Sequence, residues 1–461
     1  MELLVINWSS VGLKVAQLLL SLSILILLHE FGHYITARWF KCRVDKFYLF
    51  FDPWFSLVKK KIGDTVYGIG WLPLGGYCKI AGMVDESMDK EQMKLPPQPH
   101  EFRSKPAWQR LIILLGGVTV NILLAFVIYA MILFVWGEKK TLNSSLKNGV
   151  WVTDSLMYKM GLRNGDRIVS INDKEEKYFE DIPKRILFNG GSLIKVNRDG
   201  KDTTIDIPRK IIGQLVEKKR SKSPLLLPRV PAIVGEFGKK DTSNAKKAAL
   251  QHWDKIVKVD SVPVRFLDDV TAYNDMHKNN KVIYSIERKG RIIQLPVLID
   301  EDGRTGMPFL KDTDYVNLGA YLLDIKKYGF FEAFPAGVGK TFSSLSDYID
   351  QFKLIFQPST EAYKGLGGFK TMGSVFAGDV WDWELFWGVT AFFSIVLAFM
   401  NLLPIPALDG GHVLFTLGEM ITGRKPSEKF LEYAQVVGIV ILLALMLYAN
   451  GNDWFGWGKG K

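Results

Sequence analysis

Apolar residues gather along this chain into four long runs, and the stretches between them are mixed or polar. The runs cover about residues 11–37, 111–136, 385–403 and 436–448. A helix that crosses a bilayer needs roughly 20 predominantly apolar residues, so the first three predict spans outright. The fourth does so only with its neighbours on either side. The first run lacks the basic start and the small-residue cleavage site of a signal peptide. It ends in His29-Glu30-Phe31-Gly32-His33 and reads as a retained span.

Charge then suggests an orientation. Residues 41–110, between runs one and two, carry twelve lysines and arginines, among them Lys59, Lys60 and Lys61, and the connector between runs three and four carries Arg424, Lys425 and Lys429. Both connectors fall on one side if all four runs span, and the positive-inside rule makes that side cytoplasmic. Residues 137–383 and the termini would face outward. A composition of 48% hydrophobic and 23% charged residues, with mean hydropathy +0.08, fits spans combined with a sizeable polar portion. The net charge of +11 could serve nucleic acid. Membrane proteins collect the same charge at headgroups, and no nucleic-acid partner is expected. Cys42 and Cys78 form no CxxC, which excludes a disulfide framework and predicts free thiols.

The long outer segment repeats itself. Gly161-Leu162-Arg163-Asn164-Gly165-Asp166-Arg167-Ile168 aligns with Ala249-Leu250-Gln251-His252-Trp253-Asp254-Lys255-Ile256, and the register continues through Phe179 and Leu267. Each copy ends in a predicted hairpin, turning at Arg198-Asp199-Gly200 and Arg288-Lys289-Gly290. The pattern resembles a PDZ domain; a generic β-rich spacer is the plainer alternative. Trp253 stands where the first copy has Gly165, so the second copy is expected to turn differently there.

The end of the first run carries the chemistry. On a helix, His29 and His33 lie one turn apart on one face and can reach one zinc ion, with Glu30 beside them to take a proton from water. Two histidines and a carboxylate in an apolar span are costly unless coordinated, paired or wetted. Zinc needs a third protein ligand. The soluble metzincin spacing would demand Gly and His where Thr36 and Trp39 stand. The third run instead ends in Asn401-Leu402-Leu403-Pro404-Ile405-Pro406-Ala407-Leu408-Asp409-Gly410-Gly411-His412. Its prolines break the helix, and Asp409 there is either the missing ligand or a turn former before a Gly-Gly break. His412, past that break, is expected to be structural.

These two motifs together resemble the site-2 protease family of intramembrane metalloproteases. The tandem PDZ-like repeat resembles its bacterial regulator-of-sigma-E branch. Pro73-Leu74-Gly75-Gly76-Tyr77 and the run Phe102, Lys105, Arg110, Gly117, Asn121 resemble further family segments, although Val118 replaces a usual proline. The resemblance implies an α-helical membrane protein with about four spans, a membrane-associated β-hairpin or sheet and two outer PDZ-like domains. It implies a Zn2+ centre on His29, His33 and Asp409, with Glu30 as general base. Asn401, Pro404, Gly68 and Gly70 would hold an unwound substrate, the strands of residues 65–79 clamping it by strand addition.

The expected domains are 1–136, with the β region at 41–106; PDZ-like 137–225 and 226–310; a connector at 311–382 with an amphipathic helix; and 383–461. The expected partners are single-span membrane proteins, such as anti-sigma factors and remnant signal peptides, and the lipid bilayer, in a bacterial inner membrane. A catalytically inert, membrane-anchored PDZ receptor and a metal transporter are the competing readings.

Overall fold

The computed structural model describes residues 8–83, 96–188, 192–218, 224–238, 241–378 and 380–457. Part of the expected β region, residues 84–95, lies outside them. The chain divides into two units, one of residues 1–137, 327–353 and 366–461, the other of 138–326 and 354–365.

The first unit is built on α1 (Trp8–Trp39), α2 (Ala107–Val135), α3 (Phe330–Ile355), α4 (Trp383–Leu402), α5 (Asp409–Thr422) and α6 (Glu428–Phe455). Four of these, all but α3 and α5, are long and apolar enough to cross a membrane. The chain is a membrane protein that also carries β-rich portions. Local chemistry sets the helix ends. Pro106 precedes α2, and Gly137, at φ +75°, stops it. Asp382 caps α4 by accepting from the Leu385 amide, and Ser427 caps α6 by accepting from that of Phe430. The fourth apolar run thus extends on both sides into a 28-residue helix.

Buried hydroxyl contacts and small residues fix how the apolar helices meet, as expected where lipid offers no hydrophobic drive. Thr390 of α4 donates to Ser21 of α1, and Ser394 donates to the Asn121 carbonyl of α2. A Cβ on Gly337 of α3 would lie 2.6 Å from the Ala130 nitrogen.

Between α1 and α2 the expected hairpin is part of a larger sheet. β1 (Val44–Leu49), β2 (Val58–Ile62), β3 (Thr65–Ile69) and β4 (Tyr77–Ile80) are ordered β2-β3-β1-β4, with β1 and β3 parallel and the other pairs antiparallel. Among the described strands β4 is the last of this sheet. Gly68 sits on β3, paired on both sides, and its missing side chain admits the Tyr48 ring, 2.3 Å from where a Cβ would be.

In the second unit the two copies fold alike. β5 (Arg167–Ile171), β6 (Lys174–Glu175), β7 (Ser192–Arg198) and β8 (Lys201–Ile207) form a sheet ordered β6-β5-β7-β8. β9 (Lys255–Val259), β10 (Val262–Pro263), β11 (Lys281–Arg288) and β12 (Arg291–Leu298) are ordered β10-β9-β11-β12. A bulge falls at the same place in both, between Ile168 and Ser170 and between Ile256 and Lys258. The hairpins turn at Asp199-Gly200 and Lys289-Gly290, all with positive φ, as the twist of a two-residue hairpin demands. One hydrophobic core runs through both copies, from Leu146 to Tyr321. Asn164 of the first copy donates to Asp268 of the second, which Arg229 also engages. Burial nonetheless holds the Asp268 carboxyl above its usual range.

The turn at Trp253 is a correction. Gly165 has φ +94° and Trp253 has φ +73°. Arg198 pairs with Asp166 and Arg288 with Asp254 through the same two-pronged contact. The second copy makes the same turn and bears the strain of a bulky residue in it.

Candidate metal centre

Two close helix approaches build the site. A Cβ on Gly32 of α1 would lie 2.3 Å from the Gly116 oxygen, and one on Gly116 of α2 would lie 2.5 Å from the Gly32 oxygen. Glycine at both positions lets the backbones touch. The next residue, Gly117, puts bare backbone against the imidazoles: its Cβ would stand 2.4 Å from His33 Nε2 and 2.6 Å from His29 Cε1. α2 runs unbroken through Gly117-Val118, where the sequence departs from the family pattern.

The third side comes from the turn between α4 and α5. α4 ends at Leu402, and Asp409 is the first residue of α5. Gly410 and Gly411, expected above to break the helix, instead form the first turn of α5. Cβ atoms there would fall 2.3 Å from the Leu403 oxygen and 2.4 Å from the Pro406 Cα, so the turn folds back too closely for side chains. His412 follows inside the same helix and lines the cavity.

His29 Nε2 and His33 Nε2 each lie 3.2 Å from Asp409 Oδ2, and 3.3 Å from one another. Ligands about 2.0–2.1 Å from a tetrahedral zinc stand roughly 3.3–3.4 Å apart, close to the edges of this triangle. Asp409 Oδ2 is buried without a hydrogen bond, which is costly unless a cation answers it. The other ring nitrogens are held from behind: His33 Nδ1 lies 2.9 Å from the Ile113 oxygen, and His29 Nδ1 lies 3.2 Å from Asn121 Nδ2. Such outer contacts fix the imidazoles that bind metals. Among the described residues these are three potential protein ligands, so the donor set fits a zinc site with a position left for water.

A cavity of about 650 Å3 opens on this cluster and is lined by Glu30, by Asn401, and by Gly75 to Ile80 of β4 and its lead-in turn. Asn401 Nδ2 is 3.2 Å from His29 Nε2. Pro404 is exposed in the turn, and Gly68 and Gly70 lie within the paired sheet rather than on the cavity wall. On the sheet side of the cavity, Gly76 approaches the chemistry: its Cβ would come within 3.4 Å of Glu30 Cγ. Asn121 was legible only as part of a motif, a lone polar residue in an apolar run. Gln435, a further buried polar side chain on the wall, carried no motif at all.

The sequence model of peptidase family M50 matches residues 17–445. The regulator of sigma-E protease RseP of Escherichia coli is 26% identical, over 95% of this chain and 98% of that one. The regulator of sigma E protease of Salmonella typhi is 25% identical, over 96% and 98%. A Rickettsia conorii protein, provisionally named a zinc metalloprotease, is 28% identical over 96% and 98%.

Proposed function

Because the chain belongs to peptidase family M50 and is a zinc metalloprotease, we propose that it hydrolyses peptide bonds within the bilayer, in the membrane segments of single-span proteins. The observation that carries this reading is the convergence of His29, His33 and Asp409, from an apolar helix and a distant broken one, at zinc-ligand spacing. In this reading those three side chains hold the ion. Zinc, when bound, supplies the Lewis acidity that makes water a nucleophile near neutral pH. Glu30 takes the proton from the attacking water and returns it to the leaving amine. Asn401 lies where it can hold a substrate carbonyl.

A transmembrane helix hides its carbonyls in its own hydrogen bonds, so the substrate must first unwind. The strands of residues 65–79 clamp the unwound stretch by strand addition, and β4 lies beside the cavity. The proposed substrates are anti-sigma factors trimmed on the outer side and remnant signal peptides. The proposed setting is a bacterial inner membrane with four spans. The repeats at 137–225 and 226–310 are proposed as PDZ-like domains on the periplasmic face that exclude substrates with bulky outer portions.

The test is cleavage of a single-span model protein by purified chain in bilayer discs. Wild type is expected to cut it, with activity lost on chelation and restored by zinc. Glu30→Gln and Asp409→Ala are expected to be inactive, the first retaining zinc and the second losing most of it. A Glu30→Gln variant that cleaves at the wild-type rate would end this reading.

A further inference from the structure

Gln435 is a polar side chain on α6 that lines the cavity and that the chemistry above leaves unused. The helix is mostly exposed, with Tyr433, Val436, Val437 and Val440 turned outward. Gln435, Gly438 and Leu442 share its other face, and Gln435 and Leu442 line the cavity that holds the histidines and Asp409. Gly438 fixes this placement. A Cβ there would lie 2.5 Å from the Ala407 nitrogen, so α6 packs backbone to backbone against the turn that delivers Asp409. One turn earlier, Gln435 is only 2% exposed, and its Oε1 is buried without a hydrogen bond. A polar group left so in an apolar segment is destabilising, and nothing among the described residues answers it.

We infer that Gln435 is a substrate-positioning residue, whose side-chain amide takes up a main-chain amide of the unwound substrate from the α6 wall of the cavity. This inference rests on the protease reading above. The chemistry of the group identifies the ligand class. A neutral primary amide both donates and accepts, which matches a peptide main chain, whereas a charged side chain would select an opposite charge. An unwound segment exposes a donor and an acceptor at every residue. β4 lines the same cavity, and Gln435 faces it from a different element. Gln435 therefore favours the extended form irrespective of sequence.

The test uses the full chain in bilayer discs and a labelled single-span peptide. In the Glu30→Gln background, Gln435→Leu is expected to weaken peptide binding roughly 3- to 10-fold, the range of one hydrogen bond. In the active chain the same change should raise KM with kcat and zinc content nearly unchanged. Without peptide, its melting temperature should stay level or rise, because an unanswered polar atom has been removed. Unchanged binding and KM would overturn the inference. So would a marked fall in melting temperature with zinc loss, which is the signature of a purely structural amide. If the zinc-loaded wild type neither bound nor cut the peptide, the protease reading would fall and this inference with it.

Discussion

His29 turns Nε2 towards Asp409, which leaves its Nδ1 facing Asn121 at 3.2 Å. The Asn121 amide presents Nδ2 to that nitrogen, while its Oδ1 is buried without a hydrogen bond. An imidazole that coordinates through Nε2 carries its proton on Nδ1 and needs an acceptor. A half-turn of the amide supplies one and satisfies the stranded oxygen. Asn121→Ala is therefore expected to lower zinc affinity by roughly 10- to 100-fold, measured by competition with a chromophoric chelator. Asn121→Asp, which keeps an acceptor, should stay within a few-fold of wild type. Equal affinity for the alanine variant would mean that packing alone orients His29. At Trp253 the relevant quantity is backbone strain. A left-handed conformation costs a side-chain-bearing residue about 1–2 kcal/mol, and Trp253, nearly half exposed, recovers part of it by stacking on His252 at 5.1 Å. Trp253→Gly is expected to raise the melting temperature of the β-rich unit, read by calorimetry. A drop of several degrees would show that the ring contributes more than the turn costs.

Among the elements, α5 has the most demanding task, because it must present Asp409 to a helix far away in sequence. Its other end is held by Glu419, whose Oε1 lies 2.5 Å from Arg110 of α2, with both side chains largely buried. Arg110 also donates to the Lys105 carbonyl and packs over the Phe102 ring. Removing one partner of a buried ion pair strands the other at a cost of about 3 kcal/mol. Glu419→Gln is expected to lower both the melting temperature and zinc occupancy. The double variant Arg110→Met with Glu419→Leu should recover much of the stability. A double variant no better than the single one would mean that the pair acts through charge rather than through burial. The helical spacing of His29 and His33, and the prolines before Asp409, were legible from the chain because both are local rules. Gly410 and Gly411 were misread as a break for the opposite reason. Their need for glycine comes from Leu403 and Pro406 folding back on them, a tertiary contact with no local pattern. Gln435 was hidden in the same way, since a single amide beside an apolar run looks like Ser21 or Thr390 until the cavity wall is seen.

For the whole molecule, the two units carry different burdens. The proposed zinc ligands all belong to the unit that holds the apolar helices, while residues 138–326 have their own continuous core and their own ion pairs at Asp166 and Asp254. The sequence repeat marked two like copies there, whereas the turn, the bulge and the Arg–Asp pair that they share emerged only from the structure. A ligand that binds only the folded state stabilises it by about 4 kcal/mol when present at 1,000 times its dissociation constant. That stabilisation enters only the cooperative unit that contains the site. Thermal unfolding of the full chain is therefore expected to show two transitions, and a zinc chelator should lower one while leaving the other in place. Asp409→Ala should abolish the chelator's effect on the sensitive transition. The insensitive transition should coincide with the loss of β-sheet signal, followed by infrared absorption alongside calorimetry. If the chelator moved the β-sheet transition instead, the metal would reside outside the His29, His33 and Asp409 cluster, and the stranded oxygen of Asp409 would need another explanation.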